Sequence, residues 1–290
     1  LKHIVKDLVG VLEQTLPKSI TVKHNVATDL WTISADPTQI HQVIMNICIN
    51  ARDAMPTGGT ISIDAQNVSI DENYARMNVD AEPGNYVLLT VSDTGMGMEA
   101  DVIKRIFDPF FTTKEIGKGT GLGLATTLTI VKSHGGFINV YSEVHRGTRF
   151  SIYMPSAEET SVSTASTQTE ALPRGAGQTI LVVDDEENIR TIAEATLGQF
   201  GYRTLTAVDG TDALAVYSQN AKNIDAVLTD MAMPYMDGTA LIRALRKIDP
   251  AIPIIVMSGL LNEALHTDLT TLGVKGCLLK PYTAETLLKT

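Results

Sequence analysis

Cysteine is scarce in this chain. Cys48 and Cys277 are the only two in 290 residues. Both lie in apolar segments, so reduced core thiols are expected and a disulfide framework is excluded. Long apolar runs are also missing: nothing approaches the run of about eighteen apolar residues that a membrane span needs. No membrane contact by this portion is expected, and a cytoplasmic location follows, with any anchor of the full-length protein lying elsewhere. The N-terminus lacks a signal-peptide pattern. It opens inside a helical pattern, with Ile4, Val5, Leu8, Val11 and Leu12 on one face, as a piece of a longer protein would. Positive charge is in deficit: 23 Lys and Arg against 33 Asp and Glu leave a net charge of -10. Non-specific nucleic-acid binding runs on phosphate neutralisation, so no nucleic-acid partner is expected. Any negative substrate must be held by local donors. What remains is ordinary globular material, 44% hydrophobic and 19% charged, with length for two domains.

One segment cannot bury a core. Residues 156–178 are rich in Ser, Thr and Ala and poor in large apolar residues, so they read as a flexible linker. They divide the chain into domains at 1–155 and 179–290. The first domain mixes strand-like runs at 19–23, 60–65, 86–92, 137–141 and 148–153 with helical patterns at 37–55 and 123–134. In the first of these helices Asp36-Pro37 supplies an N-cap and a first helical residue, and Ile40, Val43, Ile44, Ile47, Ala51 and Ala54 form its apolar face. The second domain alternates strand and helix, with strands at 179–183, 203–207, 226–229, 254–257 and 276–279. Helices are expected at 188–200, 210–219, 239–248, after Asn262, and from Thr283, where the last helix is incomplete. That alternation predicts a doubly wound, five-stranded parallel sheet.

Three acids stand at the ends of two of these strands: Asp184 and Asp185 after Ile180–Val183, and Asp230 after Ala226–Thr229. Ionised carboxylates repel one another, so three at neighbouring strand ends make sense around a divalent cation. Ser258 ends another strand, and Lys280-Pro281 follows the last. This set resembles the receiver domain of two-component signalling, a flavodoxin-like fold. The resemblance implies phosphate acceptance on Asp230, a switch hydroxyl on Ser258, a charge-offsetting Lys280, and Mg²⁺ held by Asp184, Asp185, Asp230 and the Ala232 carbonyl. It also implies an aromatic residue three positions before the lysine, where this chain has Cys277.

In the first domain Gln42, Asn46, Asn50 and Asp53 recur at helical spacing and share one polar stripe. Two glycine-rich segments follow: Asp93-Thr94-Gly95-Met96-Gly97 after an apolar strand, and Gly117-Lys118-Gly119-Thr120-Gly121-Leu122-Gly123 before a helix. Glycines let backbone approach phosphates, and helix N-termini favour anions. Gly119–Gly123 alone is no dinucleotide fingerprint, because it does not follow a strand in a βαβ unit. With Phe107–Lys114 between the two segments, the blocks together resemble the ATP-binding domain of sensor histidine kinases, a two-layer α/β sandwich shared with DNA gyrase and heat-shock chaperone ATPases. The resemblance implies that Asn50 holds Mg²⁺ bridging the ATP phosphates, with Asn46 and Asp53 on the same stripe. It implies that Asp93 bonds the adenine amino group and that Gly95 and Gly97 shape its pocket. Lys114 and the loop Gly117, Gly119, Gly121, Leu122, Gly123 would close over the phosphates. Phe110, Phe111 and Leu122 would meet the helical domain that carries the phosphoaccepting histidine.

The gyrase-like hydrolases carry a glutamate where this chain has Asn46, and an amide is a poor general base. That favours phosphoryl transfer to protein over hydrolysis. None of the six histidines is followed by an acid, so the dimerising, histidine-bearing hairpin is expected upstream of Leu1. The expectation is therefore the C-terminal portion of a hybrid sensor histidine kinase, using ATP and Mg²⁺. Its partners would be that hairpin in a homodimer and a histidine phosphotransfer protein or cognate kinase. The rival readings are a gyrase- or chaperone-like ATPase, or an ATP-sensing binding module, each with a receiver.

Overall fold

The computed structural model describes residues 1–114, 119–157, 172–259 and 271–290. Residues 158–171 of the expected linker, Gly117 of the expected lid and most of the helix expected after Asn262 lie outside the described residues. The chain divides into two compact units, Leu1–Ile70 with Gly84–Ser163, and Asp71–Pro83 with Thr164–Thr290.

The first unit holds a five-stranded sheet in the order β1-β2-β3-β5-β4. Its strands are β1 (Ile20–Val26), β2 (Gly59–Ile70), β3 (Gly84–Asp93), β4 (Phe137–Glu143) and β5 (Gly147–Pro155). Only β1 and β2 run parallel. Helices α1 (Lys2–Thr15), α2 (Pro37–Asp53) and α5 (Gly123–Ser133) supply the layer that covers one face. The opening helical pattern folds as expected: Val5, Leu8, Val9 and Leu12 are buried in α1, while Val11 turns outward. On β3, Val87, Leu89 and Val91 are buried, and Leu89 and Val91 join the same core as Ile61, Ile63 and Ala65 of β2 and Ile152 and Met154 of β5. Each of these Val, Leu, Ile and Met side chains contributes about 1.5–3 kcal/mol through the water it sheds. Two short helices, α4 (Ala100–Ile103) in this unit and α3 (Glu72–Met77) in the Asp71–Pro83 segment of the second, had no sequence signal, because segments this short carry too few turns to show a period.

The start of α2 is set locally. Asp36 Oδ1 accepts from the Thr38 N–H at 2.8 Å, and Pro37 takes the first helical position, where its missing N–H costs nothing. Asp36→Ala should therefore lower the stability of this unit by about 1 kcal/mol, read as a urea-midpoint shift at unchanged slope.

The second unit is the doubly wound sheet that the alternation predicts, ordered β10-β9-β8-β6-β7 and parallel throughout. Its strands are β6 (Thr179–Val183), β7 (Arg203–Ala207), β8 (Ala226–Asp230), β9 (Ile254–Ser258) and β10 (Gly276–Leu279). Among the described residues its helices, besides α3, are α6 (Glu187–Gln199), α7 (Gly210–Asn220), α8 (Gly238–Ile248) and α9 (Ala284–Lys289). Side chains alternate along each strand. Leu181 and Val183 pack with Ala213, Tyr217, Leu241 and Leu245 of α7 and α8, whereas Val182 packs with Ala193, Leu197 and Leu287 of α6 and α9. Both faces are covered, which is why these strands read as continuous apolar runs. No described helix is long and apolar enough to cross a membrane.

Candidate functional sites

The first site is a cavity of about 560 Å³ at one end of the five-stranded sheet. Asn46, Asn50 and Asp53 of α2, Asp93 at the end of β3, Gly97, Lys114, Gly119, Gly121 and Gly123 all line it. Of the remaining expected residues, Gly95 lies against Asp93 and Leu122 stands at the mouth of α5, 41% exposed.

Asp93 is 7% exposed. Its Oδ1 accepts from the Gly95 N–H at 2.7 Å, and the Thr148 N–H also donates to the carboxylate. Burial outweighs both donors and pushes its pKa up to about 6. The β3–β5 register sets Asp93 opposite Thr148. The Thr148 hydroxyl lies 2.9 Å from Ser142 Oγ, which accepts from the Met98 N–H at 2.9 Å. The β4–β5 turn is thereby pinned to the glycine segment, and the His145 N–H adds a bond to the Met96 carbonyl at 2.7 Å. Gly97 is obligatory here. Its φ is +66°, and a Cβ would stand 1.9 Å from the Glu143 carbonyl oxygen. Cys48, behind this wall, is a fully buried free thiol with its pKa pushed to about 12, by burial first and then by Asp93.

At the other end of the cavity Lys114 Nζ donates to Asn50 Oδ1 at 3.0 Å and to Asp53 Oδ2 at 2.6 Å. Arg52 holds the other Asp53 oxygen at 2.7 Å. Burial works to raise the Asp53 pKa, but the two cations lower it on balance. Asn46 Nδ2 donates to the Gly123 carbonyl at 3.0 Å, tying α2 to the first turn of α5. Gly121, with φ +64°, lets the loop press on Phe110, whose carbonyl carbon a Cβ would meet at 2.3 Å. Phe110 is 74% exposed, and Phe111 stacks under Arg105, 4.4 Å from ring centroid to guanidinium carbon.

These residues fit a nucleotide. A buried acceptor, Asp93, an asparagine oxygen and an ammonium line one cavity, and glycines lie where a Cβ would intrude. Sequence reasoning missed Arg52 and Thr148. Both are ordinary in sequence, and only the strand register and the end of α2 bring them to the cavity.

The second site lies at the carboxyl ends of β6, β8 and β10. Asp184 is fully buried and Asp230 is 6% exposed. Lys280 Nζ donates to Asp184 Oδ2 at 2.5 Å and to Asp230 Oδ1 at 2.7 Å. The free oxygens accept from backbone, Asp184 Oδ1 from the Glu186 N–H at 3.0 Å and Asp230 Oδ2 from the Ala232 N–H at 2.9 Å. Burial raises the Asp184 pKa to about 6 against the opposing pull of Lys280. For Lys280 burial works downward, and the Asp230 and Asp184 carboxylates together raise its pKa on balance. Ser258 is fully buried at the end of β9, and its carbonyl accepts from the Lys280 N–H at 2.9 Å.

The expected three-acid cluster is only two-thirds assembled. Asp185 is exposed, and among the described residues no group of three His, Cys, Asp or Glu side chains converges for a metal. The Lys280 ammonium, on both buried carboxylates, offsets their charge. The carboxylate donors remain of the hard-oxygen kind that Mg²⁺ takes. Cys277 packs with the cluster that includes Leu241 and Val256.

Comparison with known proteins matches two segments of the chain. Residues 35–158 match the histidine kinase-, DNA gyrase B-, and HSP90-like ATPase family. Residues 180–290 match the response regulator receiver domain. The sensor kinase CckA of Brucella abortus is 38% identical over 100% of this chain and 31% of its own length. The sensor protein EvgS of Escherichia coli is 28% identical over 89% of this chain and 21% of its own. The chain thus spans a third or less of these relatives. Among solved structures, chemotaxis protein CheY4 of Vibrio cholerae is 33% identical, covering 39% of this chain and 95% of that one, with a TM-score of 0.38.

Proposed function

The chain is a homologue of the hybrid sensor kinases, a histidine kinase-type ATPase domain followed by a response regulator receiver domain, and we propose that it is the phosphoryl-handling portion of one, binding Mg²⁺–ATP in the first unit and accepting phosphate on Asp230 in the second. The observation that carries this reading is the pairing, on one chain, of a cavity lined by Asn50, Asp93 and Lys114 with a buried carboxylate pair on Lys280.

Bound Mg²⁺–ATP would supply the transferable γ-phosphoryl group and the charge neutralisation it needs. Asn50 offers the metal an amide oxygen, Asp93 reads the adenine amino group, and Lys114 serves the phosphates. Asn46 sits where a hydrolase needs a base and supplies none, which favours transfer to a protein histidine. That histidine, its dimerising hairpin and a histidine phosphotransfer protein or cognate kinase are the proposed partners, in a cytoplasmic setting. In the second unit Asp184, Asp185 and the Ala232 carbonyl are the proposed Mg²⁺ ligands beside Asp230. A carboxylate oxygen of Asp230 would attack the incoming phosphorus while the bond to the donor breaks and the donor leaves with its electron pair. Lys280 offsets the charge on the transferring group, and Ser258 bonds the acyl phosphate formed.

The test is incubation with acetyl phosphate and Mg²⁺. Wild type should gain one acid-stable, base-labile phosphoryl group, seen as about 80 Da by mass spectrometry, the mass of HPO₃ added at an aspartate. Asp230→Ala should gain none. Label persisting in Asp230→Ala would move the acceptor to another acid, Asp237 first.

A further inference from the structure

On sequence, Asp53 shares the polar stripe of the nucleotide ligands. The geometry points to another role, that of a positioning residue: Asp53 holds Lys114 on Asn50 as a resting latch, which nucleotide must open. The inference rests on the nucleotide reading of this cavity.

Lys114 Nζ contacts Asn50 Oδ1 at 3.0 Å and Asp53 Oδ2 at 2.6 Å. The Asn50 oxygen is the atom proposed for the metal. A divalent cation and an ammonium cannot both crowd one amide oxygen, because two cations within a few ångströms repel strongly in a partly buried site. Lys114 must therefore leave Asn50 when metal and phosphates enter. What holds it in place is Asp53, the charged and shorter of its two contacts.

Asp53 is itself fixed. It is the last residue of α2, and Arg52 grips its second oxygen. Both oxygens of this one carboxylate are thus engaged by cations. The lysine stem also lies near Gly119. Lys114 Cδ would lie 3.2 Å from a Cβ at Gly119, and the Lys114 N–H bonds Thr112 Oγ1 at 3.1 Å. Release of the Lys114 ammonium would free the Asn50 oxygen. The lysine and aspartate side chains are 31% and 29% exposed, so the pair is water-screened and weak enough to break on binding.

Removing the latch should tighten nucleotide binding, the opposite of what removing a ligand does. Calorimetric titration of the 290-residue chain with a non-hydrolysable Mg²⁺–ATP analogue tests this. Asp53→Asn should bind about two- to fivefold more tightly than wild type, the range expected for a half-screened ion pair. In a Lys114→Met background the same substitution should change nothing, because the latch has no lysine to hold. Asp53→Glu keeps the carboxylate and should bind like wild type, and a thermal melt of each variant checks its fold.

Weaker binding by Asp53→Asn would make Asp53 a ligand and overturn the latch. Equal tightening with and without Lys114 would reduce the effect to loss of one negative charge, which also overturns it. Unchanged affinity in a folded Asp53→Asn would show that the pair has no energetic weight, and the latch falls with it. Failure of the nucleotide reading looks different: wild type itself would show no binding.

Discussion

Asp93→Asn should make the first unit more stable and unable to bind nucleotide well. Asp93 has two backbone donors, the Gly95 and Thr148 N–H groups, to satisfy. An asparagine has one oxygen, and those donors claim it. Its NH₂ would then face the cavity, donor against the donor amino group of adenine. The expected loss is about 1–3 kcal/mol, roughly five- to 150-fold in affinity. The stability effect has the other sign. Burial lifts the Asp93 pKa from 3.8 to about 6, so the folded state takes up a proton that the unfolded state has released. A carboxylate raised on folding costs stability as pH climbs from about 4 through about 6. A rise of this size corresponds to roughly 3 kcal/mol, and Asn carries no such charge. Wild type should therefore lose stability between about pH 4.5 and about pH 7.5 relative to Asp93→Asn, measured as parallel urea melts without nucleotide. Normal ATP affinity in Asp93→Asn by calorimetry would remove Asp93 from the adenine site.

Lys280→Met should destabilise the second unit by about 3–5 kcal/mol, the usual consequence of leaving a buried charge unpaired. The substitution strands two carboxylates at once, Asp184 fully buried and Asp230 nearly so. Asp184 already has its pKa at about 6 with the lysine present, and without it the value must rise further. The sign again follows from proton uptake. The folded carboxylate binds a proton that the unfolded chain does not, so the defect is smaller at about pH 5 than at about pH 8. Adding Asp184→Asn to Lys280→Met should recover much of the loss by removing one charge. Circular dichroism of urea unfolding at the two pH values measures wild type and both variants. A defect independent of pH would show that lost packing of the lysine stem, not stranded charge, is responsible.

Much of this was legible in the residues. The apolar period of α2 and its Asp36-Pro37 start, the alternation of strands and helices after residue 179, and the acids at strand ends are local patterns, and local chemistry determines them. The resemblance to two known domain types likewise needed only short motifs in order. Short helices such as α3 and α4 were invisible because one turn shows no period. Strands also outrun their local patterns: β2 continues to Ile70 because β3 pairs with it through Gly84, a partner no window of sequence contains.

The charge relations belong wholly to tertiary structure. Asp53, Arg52 and Lys114 meet because the end of α2 and a loop far along the chain share one cavity wall. Asp184 and Asp185 are neighbours in sequence, yet one is buried on Lys280 and the other is exposed. Composition and spacing determine which residue types are available and at what period they recur. Only packing decides which charge loses its water, and burial sets pKa, pairing and the strength of every contact in these two sites.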